Sequence, residues 1–221
     1  LHDWLALLAL ASLVYGAVLA WRQQDLKAMV AYSSISHMGV VLLGVAALNQ
    51  AGLSGALTQM VAHGLTAGLL FLLIGLLYER THRRDLAAYG SLNRIAPRFA
   101  VFVVFALLAS VGLPGSAGFV AELQVLLAAY GRWGGWLVLL SIGVLISAAY
   151  ALRAIRCLST GAERGILAPG AGVMALADLT RSECAAAWLL SIATVGIGCY
   201  PSPLLHVMAA SLVKLTRQFG V

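Results

Sequence analysis

The sequence predicts an all-α membrane protein, a bundle of about six transmembrane helices with the fourth one discontinuous. Three observations lead there. Of the 221 residues, 62% are hydrophobic and only 10% are charged, whereas a soluble domain averages about 25% charged residues. A soluble chain of this composition would have no polar surface, so the bilayer is its solvent. Six apolar runs, approximately 3–22, 28–48, 53–78, 98–131, 134–157 and 185–212, are each long enough to cross the hydrocarbon layer, which takes about 20 helical residues. The runs lack the strict alternation of barrel strands, and in lipid only helices or a closed barrel satisfy the backbone. Residues 1–221 read as one transmembrane domain.

Each element has its own justification. The first span begins at once, after "LHDW", and ends at Arg22. The second follows "QQDLK", where Asp25 is placed to cap a helix N-terminus. The third carries Gly64 and Gly68, a GxxxG pair that permits close packing against a neighbouring helix. The fourth run has 34 residues, and a straight helix of that length would measure about 51 Å. It contains "SVGLPGSAGF", with Pro114 among three glycines. Proline lacks the N–H and clashes with the preceding turn. The expectation is a break near Leu113, Pro114 and Gly115, of the kind tolerated at membrane depth where it lines a polar cavity. A proline kink in a tilted helix is the simpler alternative. The fifth and sixth spans are the apolar runs 134–157 and 185–212.

Charge gives the orientation. Arg22 and Lys27, then Arg80, Arg83, Arg84, Arg94 and Arg98, then Arg153, Arg156, Arg164 and Arg181 fall in loops on one side. The opposite loops hold only Arg132. The positive-inside rule makes the rich side cytoplasmic, which places both ends of the sequence outside; Lys214 and Arg217 run mildly against this. The net charge of +6 is thus a topology signal rather than a nucleic-acid footprint. Cys157, Cys184 and Cys199 form no metal or disulfide pattern and read as apolar fillers. No cleavable signal peptide is visible, and a start without methionine leads us to expect a C-terminal piece of a larger protein.

A few polar residues lie inside the apolar runs. Glu122, in "GFVAELQVLL" after the break, is the clearest. A charge at the bilayer centre costs at least about 2.5–3.5 kcal/mol. A carboxyl in low dielectric holds its proton more tightly than one in water, which suits a proton carrier; the plainer role is a carboxylate paired near an interface. His37, in "SSISHMG", shares a helix face with Ser33 and adjoins Ser34. It suits either a proton relay or a hydrogen bond between helices. His63, in "QMVAHGLTAG", makes a second polar stripe with Gln59 and Thr66. Two histidines on two spans favour one polar line over two isolated core residues. Lys27 suits an anchor at the surface or the mouth of a proton path. His82 reads as a solvated loop residue and His206 carries no assigned role. There is no phosphate loop, no dinucleotide fingerprint, no CxxC and no convincing haem pair.

Three stretches, "QQDLKAMVAYSSISHMG", "QMVAHGLTAGLLFLLIGLLYERTHRRDL" and "LASVGLPGSAGFVAEL", in this order, resemble the antiporter-like chain M of bacterial respiratory complex I and its mitochondrial chain 4 counterpart. The late "GCYPSPLL" looks like the start or middle of that family's last helix. The resemblance covers nearly the whole sequence. It implies the last six of fourteen helices, built around two inverted five-helix repeats, in a proton-translocating subunit without a redox centre. The family's polar axis falls on His37 (SxSHMG), His63 (HGL) and Glu122 (after LPG), and its QxDLK lysine on Lys27. Ala121 and Leu123 depart from the family's glycine and phenylalanine. The family's glutamate–lysine pair and central lysine belong to earlier helices, so the expectation here is the outlet half of a path. NADH, flavin, iron–sulfur clusters and quinone would reside in other subunits, and the partners would be other complex I membrane subunits, antiporter-like chains among them. The implied location is the bacterial inner membrane. Multisubunit cation/proton antiporters and membrane-bound hydrogenase complexes use similar chains and stand as alternatives, with sodium as a second candidate ion; a purely structural bundle is a third.

Overall fold

The structure, a computed structural model, describes residues 2–159 and 176–219. Arg164 lies outside the described residues. The described chain is helical, without strands. Its helices are α1 (His2–Arg22), α2 (Leu26–Ala47), α3 (Gln50–Thr81), α4 (Leu92–Ile95), α5 (Pro97–Ser110), α6 (Ala117–Trp133), α7 (Val138–Ser159), α8 (Arg181–Cys199) and α9 (Ser202–Phe219). Short 3-10 turns stand at Leu86–Ala88 and Gly134–Leu137. Five helices, α1, α2, α3, α7 and α8, contain stretches long and apolar enough to cross a membrane. With the α5–α6 pair as an interrupted crossing, the fold is the expected all-α membrane bundle.

Local chemistry sets the helix ends. Asp25 caps α2 as its sequence position suggests, its Oδ1 accepting from the Ala28 N–H at 2.8 Å. Asn49 caps α3 by accepting from Gly52 N–H at 2.7 Å, and its amide donates to the Ala128 carbonyl at 3.1 Å, pinning α3 to α6. Pro97 opens α5, where its missing N–H costs nothing. The next two N–H groups, of Arg98 and Phe99, donate to Asp178 at 3.1 Å each. A remote carboxylate thus caps α5, and Asp178→Ala is expected to cost about 1 kcal/mol, read as a lower thermal midpoint in detergent.

The break comes where the sequence places it, but begins earlier and for a further reason. Helix α5 stops at Ser110 and α6 starts at Ala117. Gly112 adopts φ +80. Its N–H donates to Ala109 carbonyl at 3.3 Å and Leu113 N–H to Leu108 carbonyl at 3.1 Å. That pair of bonds is a Schellman motif, which ends a helix at a left-handed glycine. Gly112 therefore stops α5, and Pro114 keeps the chain from resuming until Ser116 caps α6. The alternative of one kinked helix does not hold.

The sixth predicted span, 185–212, is corrected. Helix α8 ends at Cys199 and α9 begins at Ser202. Pro201 biases Tyr200 away from helical geometry, and Tyr200 sits at φ −136, ψ 74. "GCYPSPLL" spans the junction: it holds the end of α8 and, from Ser202, the start of α9, the last helix.

The basic loops meet at one end of the bundle. Leu26 N–H donates to Arg84 carbonyl and Leu86 N–H to Gln24 carbonyl, both at 2.9 Å, so the α1–α2 and α3–α4 connections pair backbone to backbone. Arg153 donates to Gln23 carbonyl, and Arg80 pairs with Glu183 at 2.6 Å, joining α3 to α8. In the loop after α3, the buried Tyr89 hydroxyl donates to Arg83 carbonyl at 2.7 Å and meets Thr81 Oγ1 at 2.7 Å. Burial pushes this phenol up, against the opposing pull of the Thr81 bond, so the clamp stays protonated at neutral pH.

One apolar core joins α3, α5, α7 and α8 around Leu69, Leu73, Phe99 and Leu107; a smaller one joins α1, α2 and α6 around Leu13, Leu43 and Val125. Helices α1 and α2 approach through Gly16 and Gly39: a Cβ on Gly39 would stand 2.7 Å from the Ala9 oxygen and the Leu13 nitrogen. Ser36 Oγ donates to Leu13 carbonyl at 2.8 Å across the same seam. Gly64 and Gly68 behave otherwise. Both face outward, and nothing in the described chain lies within 4 Å of where their Cβ atoms would be. Among the described residues nothing packs on that GxxxG pair.

Candidate functional site

Three helices deliver one ionisable side chain each to a single buried line. His37 is 4% exposed on α2. Its Nδ1 stands 3.6 Å from Glu122 Oε1 on α6, an ion-pair separation longer than the usual hydrogen bond. The His63 ring on α3 lies 5.4 Å from the His37 ring, centroid to centroid, tilted by 41°. His63 is half-buried, and His37 Nε2 has no hydrogen-bond partner. The order is therefore His63, His37, Glu122.

The helix break positions the glutamate. Because Gly112 has no side chain, the Glu122 carboxylate settles against it: a Cβ there would lie 2.8 Å from Oε2. The same glycine thus ends α5 and cradles the carboxylate. Gly112→Ala is expected to cost about 1–2 kcal/mol through its left-handed backbone and to displace the carboxylate. The first effect is read from thermal unfolding, the second from the position of the carboxylate in the structure of a variant that remains folded.

Beside the line lies a cavity of about 10 Å³, measured for water centres, bordered by His37, Glu122, Ser36, Ser147 and Val111 among others. That is room for one water with several polar partners. A water there can hydrogen-bond to a carboxylate, an imidazole and two hydroxyls.

The other predicted residues fall differently. Ser33 and Ser34 both donate to the Val30 carbonyl, at 2.8 and 3.1 Å, rather than to His37. Gln59 is buried, with Oε1 unpartnered. Thr66 is buried and bonds back to the Ala62 carbonyl at 2.9 Å, within its own helix. Lys27 is exposed in the first turn of α2, at the basic end and away from the cluster. Sequence reading did not single out Ser147 and Tyr150 on α7, Gly112 as a cradle, or Ser36 as the bond to α1. The signal for the α7 pair was a serine and a tyrosine at i, i+3 in an otherwise oily span. Among the described residues no group of three or more His, Cys, Asp or Glu side chains forms a metal site.

Residues 1–147 match the family model described as NADH:quinone oxidoreductase/Mrp antiporter, transmembrane. The chain belongs to this family. Among antiporter-family relatives, the chain is 37% identical over 214 residues to NADH-quinone oxidoreductase subunit M of Rhodobacter capsulatus, covering 96% of this chain and 41% of the relative. It superposes with TM-score 0.86 and 36% identity on a chain in the structure of respiratory complex I from Thermus thermophilus with bound NADH, covering 97% of this chain and 45% of that one. A chain of the Mrp complex from Dietzia sp. DQ12-45-1b shares the antiporter-family fold at TM-score 0.82 and 21% identity, covering 97% and 47%. The chain spans about two fifths of the length of the curated relatives it matches. As a family member with several long apolar helices, it is a multi-pass membrane protein.

Proposed function

We propose that this chain is part of a proton-translocating membrane subunit of a respiratory NADH:quinone oxidoreductase, with protons passing along His63, His37 and Glu122. The observation that carries the reading is the close approach of three ionisable side chains from three helices, between two apolar cores. Leaving isolated charges there would be expensive, so such groups mark ion pathways. His37 turns one ring nitrogen to Glu122 and leaves the other unpartnered. An imidazole so placed can take a proton on one nitrogen and release one from the other. Glu122, beside the helix break, is the next acceptor, and release runs outward from it. Lys27, exposed at the basic end, serves the mouth of the path rather than its interior.

In this reading the basic end is cytoplasmic, the membrane is the bacterial inner membrane, and both ends of the sequence are periplasmic. The partners are the other membrane subunits of the complex, antiporter-like chains included. NADH, flavin, iron–sulfur clusters and quinone are handled by other subunits, and this chain contributes no redox group. The 36% identity to a chain of a complex I structure, against 21% to a chain of an Mrp complex, supports the respiratory assignment over the antiporter one.

Membership is tested by purifying the native assembly through a tag on this chain. NADH-dependent quinone reduction and flavin-bearing subunits should co-purify. An assembly lacking redox subunits, whose vesicles exchange cations for protons, points instead to the multisubunit antiporter.

A further inference from the structure

Helix α7 brings to the site a residue that the line described above does not use. Tyr150 is 1% exposed, yet among the described residues no hydrogen bond of ordinary geometry reaches its hydroxyl. A buried, unpaired hydroxyl is costly and calls for an explanation. Its ring is packed in the main apolar core, so the side chain has little freedom to turn away. The hydroxyl lies within electrostatic reach of Ser147, Ser33 and Glu122. Ser147, one turn earlier on α7, borders the small cavity shared with His37 and Glu122. Ser33 stands one turn from His37 towards the basic end of α2, and its own proton is engaged by Val30, which leaves its lone pairs open to a donor. Ser34 follows, half-buried, and Lys27 lies two turns below Ser34 on the same face of α2. One turn beyond Tyr150 on α7, Arg153 reaches Gln23 at the basic rim.

We propose that Tyr150 is a further proton-path residue, linking Glu122 and the cavity to the basic end of the bundle through Ser147, Ser33 and Ser34. This rests on the reading of Glu122 as a proton carrier. The net step moves one proton from water at the basic end to the Glu122 carboxylate. One O–H of hydronium at the basic end breaks and one O–H forms on Glu122; between them Ser34 and Ser33 turn their hydroxyls from the Val30 carbonyl and, like Tyr150 and Ser147, each lose one O–H as another forms. The phenol is neutral before and after. A hydroxyl does this because it donates and accepts at once. Phenylalanine fills the same space and can do neither.

The test is Tyr150→Phe in the complete complex, reconstituted in vesicles, with NADH-driven proton uptake normalised to assembled complex. Uptake is expected to fall several-fold, and its H2O/D2O rate ratio to rise as proton transfer becomes limiting; a packing defect alone would leave that ratio unchanged. Ser147→Ala should shift both quantities the same way by less. Unaltered uptake and isotope ratio in Tyr150→Phe overturn the branch. Glu122→Gln in the same preparation separates the two readings. If it stops uptake while Tyr150→Phe pumps normally, only the branch is wrong. If both pump normally, the site itself is misread.

Discussion

Replacing Glu122 by glutamine in the full-length chain is expected to abolish NADH-driven proton translocation by the complex that carries it. Glutamine has nearly the same size and shape, so the seat against Gly112 and the contact with His37 survive. What it lacks is an acidic proton to release and a carboxylate to take one up. The substitution keeps the volume and an acceptor oxygen facing His37, so the variant should unfold no more easily than the parent. Retained stability with lost translocation separates chemistry from folding. Normal translocation in this variant means that Glu122 is not on the path.

The largest structural effect is expected from Gly39→Val. Its first side-chain carbon would meet backbone atoms, the Ala9 oxygen and the Leu13 nitrogen, at 2.7 Å. Backbone in a packed helix cannot turn aside as a side-chain tip does, so α1 and α2 must separate. Overpacking of this kind costs about 1–3 kcal/mol. The Ser36–Leu13 bond sits one turn away on the same seam, and its loss adds about 1 kcal/mol. His37 is the next residue along, so the seam that holds α1 also fixes its position. The expected result is a thermal midpoint lowered by many degrees in detergent, with His37 displaced. A midpoint within about one degree of the parent means that the seam is looser than its geometry indicates.

Much of this fold is legible in the residues because oil and charge are blunt signals. Runs of twenty apolar residues can only be spans, and loops rich in arginine gather at one end, where Arg153, Arg84 and Arg80 are tied to neighbouring elements. The break was legible in Pro114. Its start was not, since a Schellman ending depends on the left-handed backbone of Gly112, and glycine is also common where no such turn forms. The split between α8 and α9 at Pro201 is hidden because apolar residues flank it on both sides. Composition sees a single run, whereas backbone geometry sees two helices.

The site was partly legible for a similar reason. His37, His63 and Glu122 are rare residues in oily spans, and rarity drew attention to each. Their convergence is a tertiary fact: α2, α3 and α6 must pack before the rings and carboxylate meet. Serines are ambiguous in sequence, because a hydroxyl can serve its own helix or reach across. Ser33, Ser34 and Thr66 do the first, and Ser36 does the second. Spacing along one helix cannot tell these apart. Nor can it show that the Gly64–Gly68 face is left open within the chain while Gly16 and Gly39 close a seam.

The central claim is that protons travel through the line His63, His37 and Glu122. The most direct measurement is NADH-driven proton translocation in vesicles holding the complete complex, with His63→Gln, His37→Gln and Glu122→Gln combined in one chain. We expect an assembled complex whose NADH-driven proton translocation is abolished, as in Glu122→Gln alone. An assembled complex that translocates at the unaltered rate contradicts the account and leaves the chain a structural bundle.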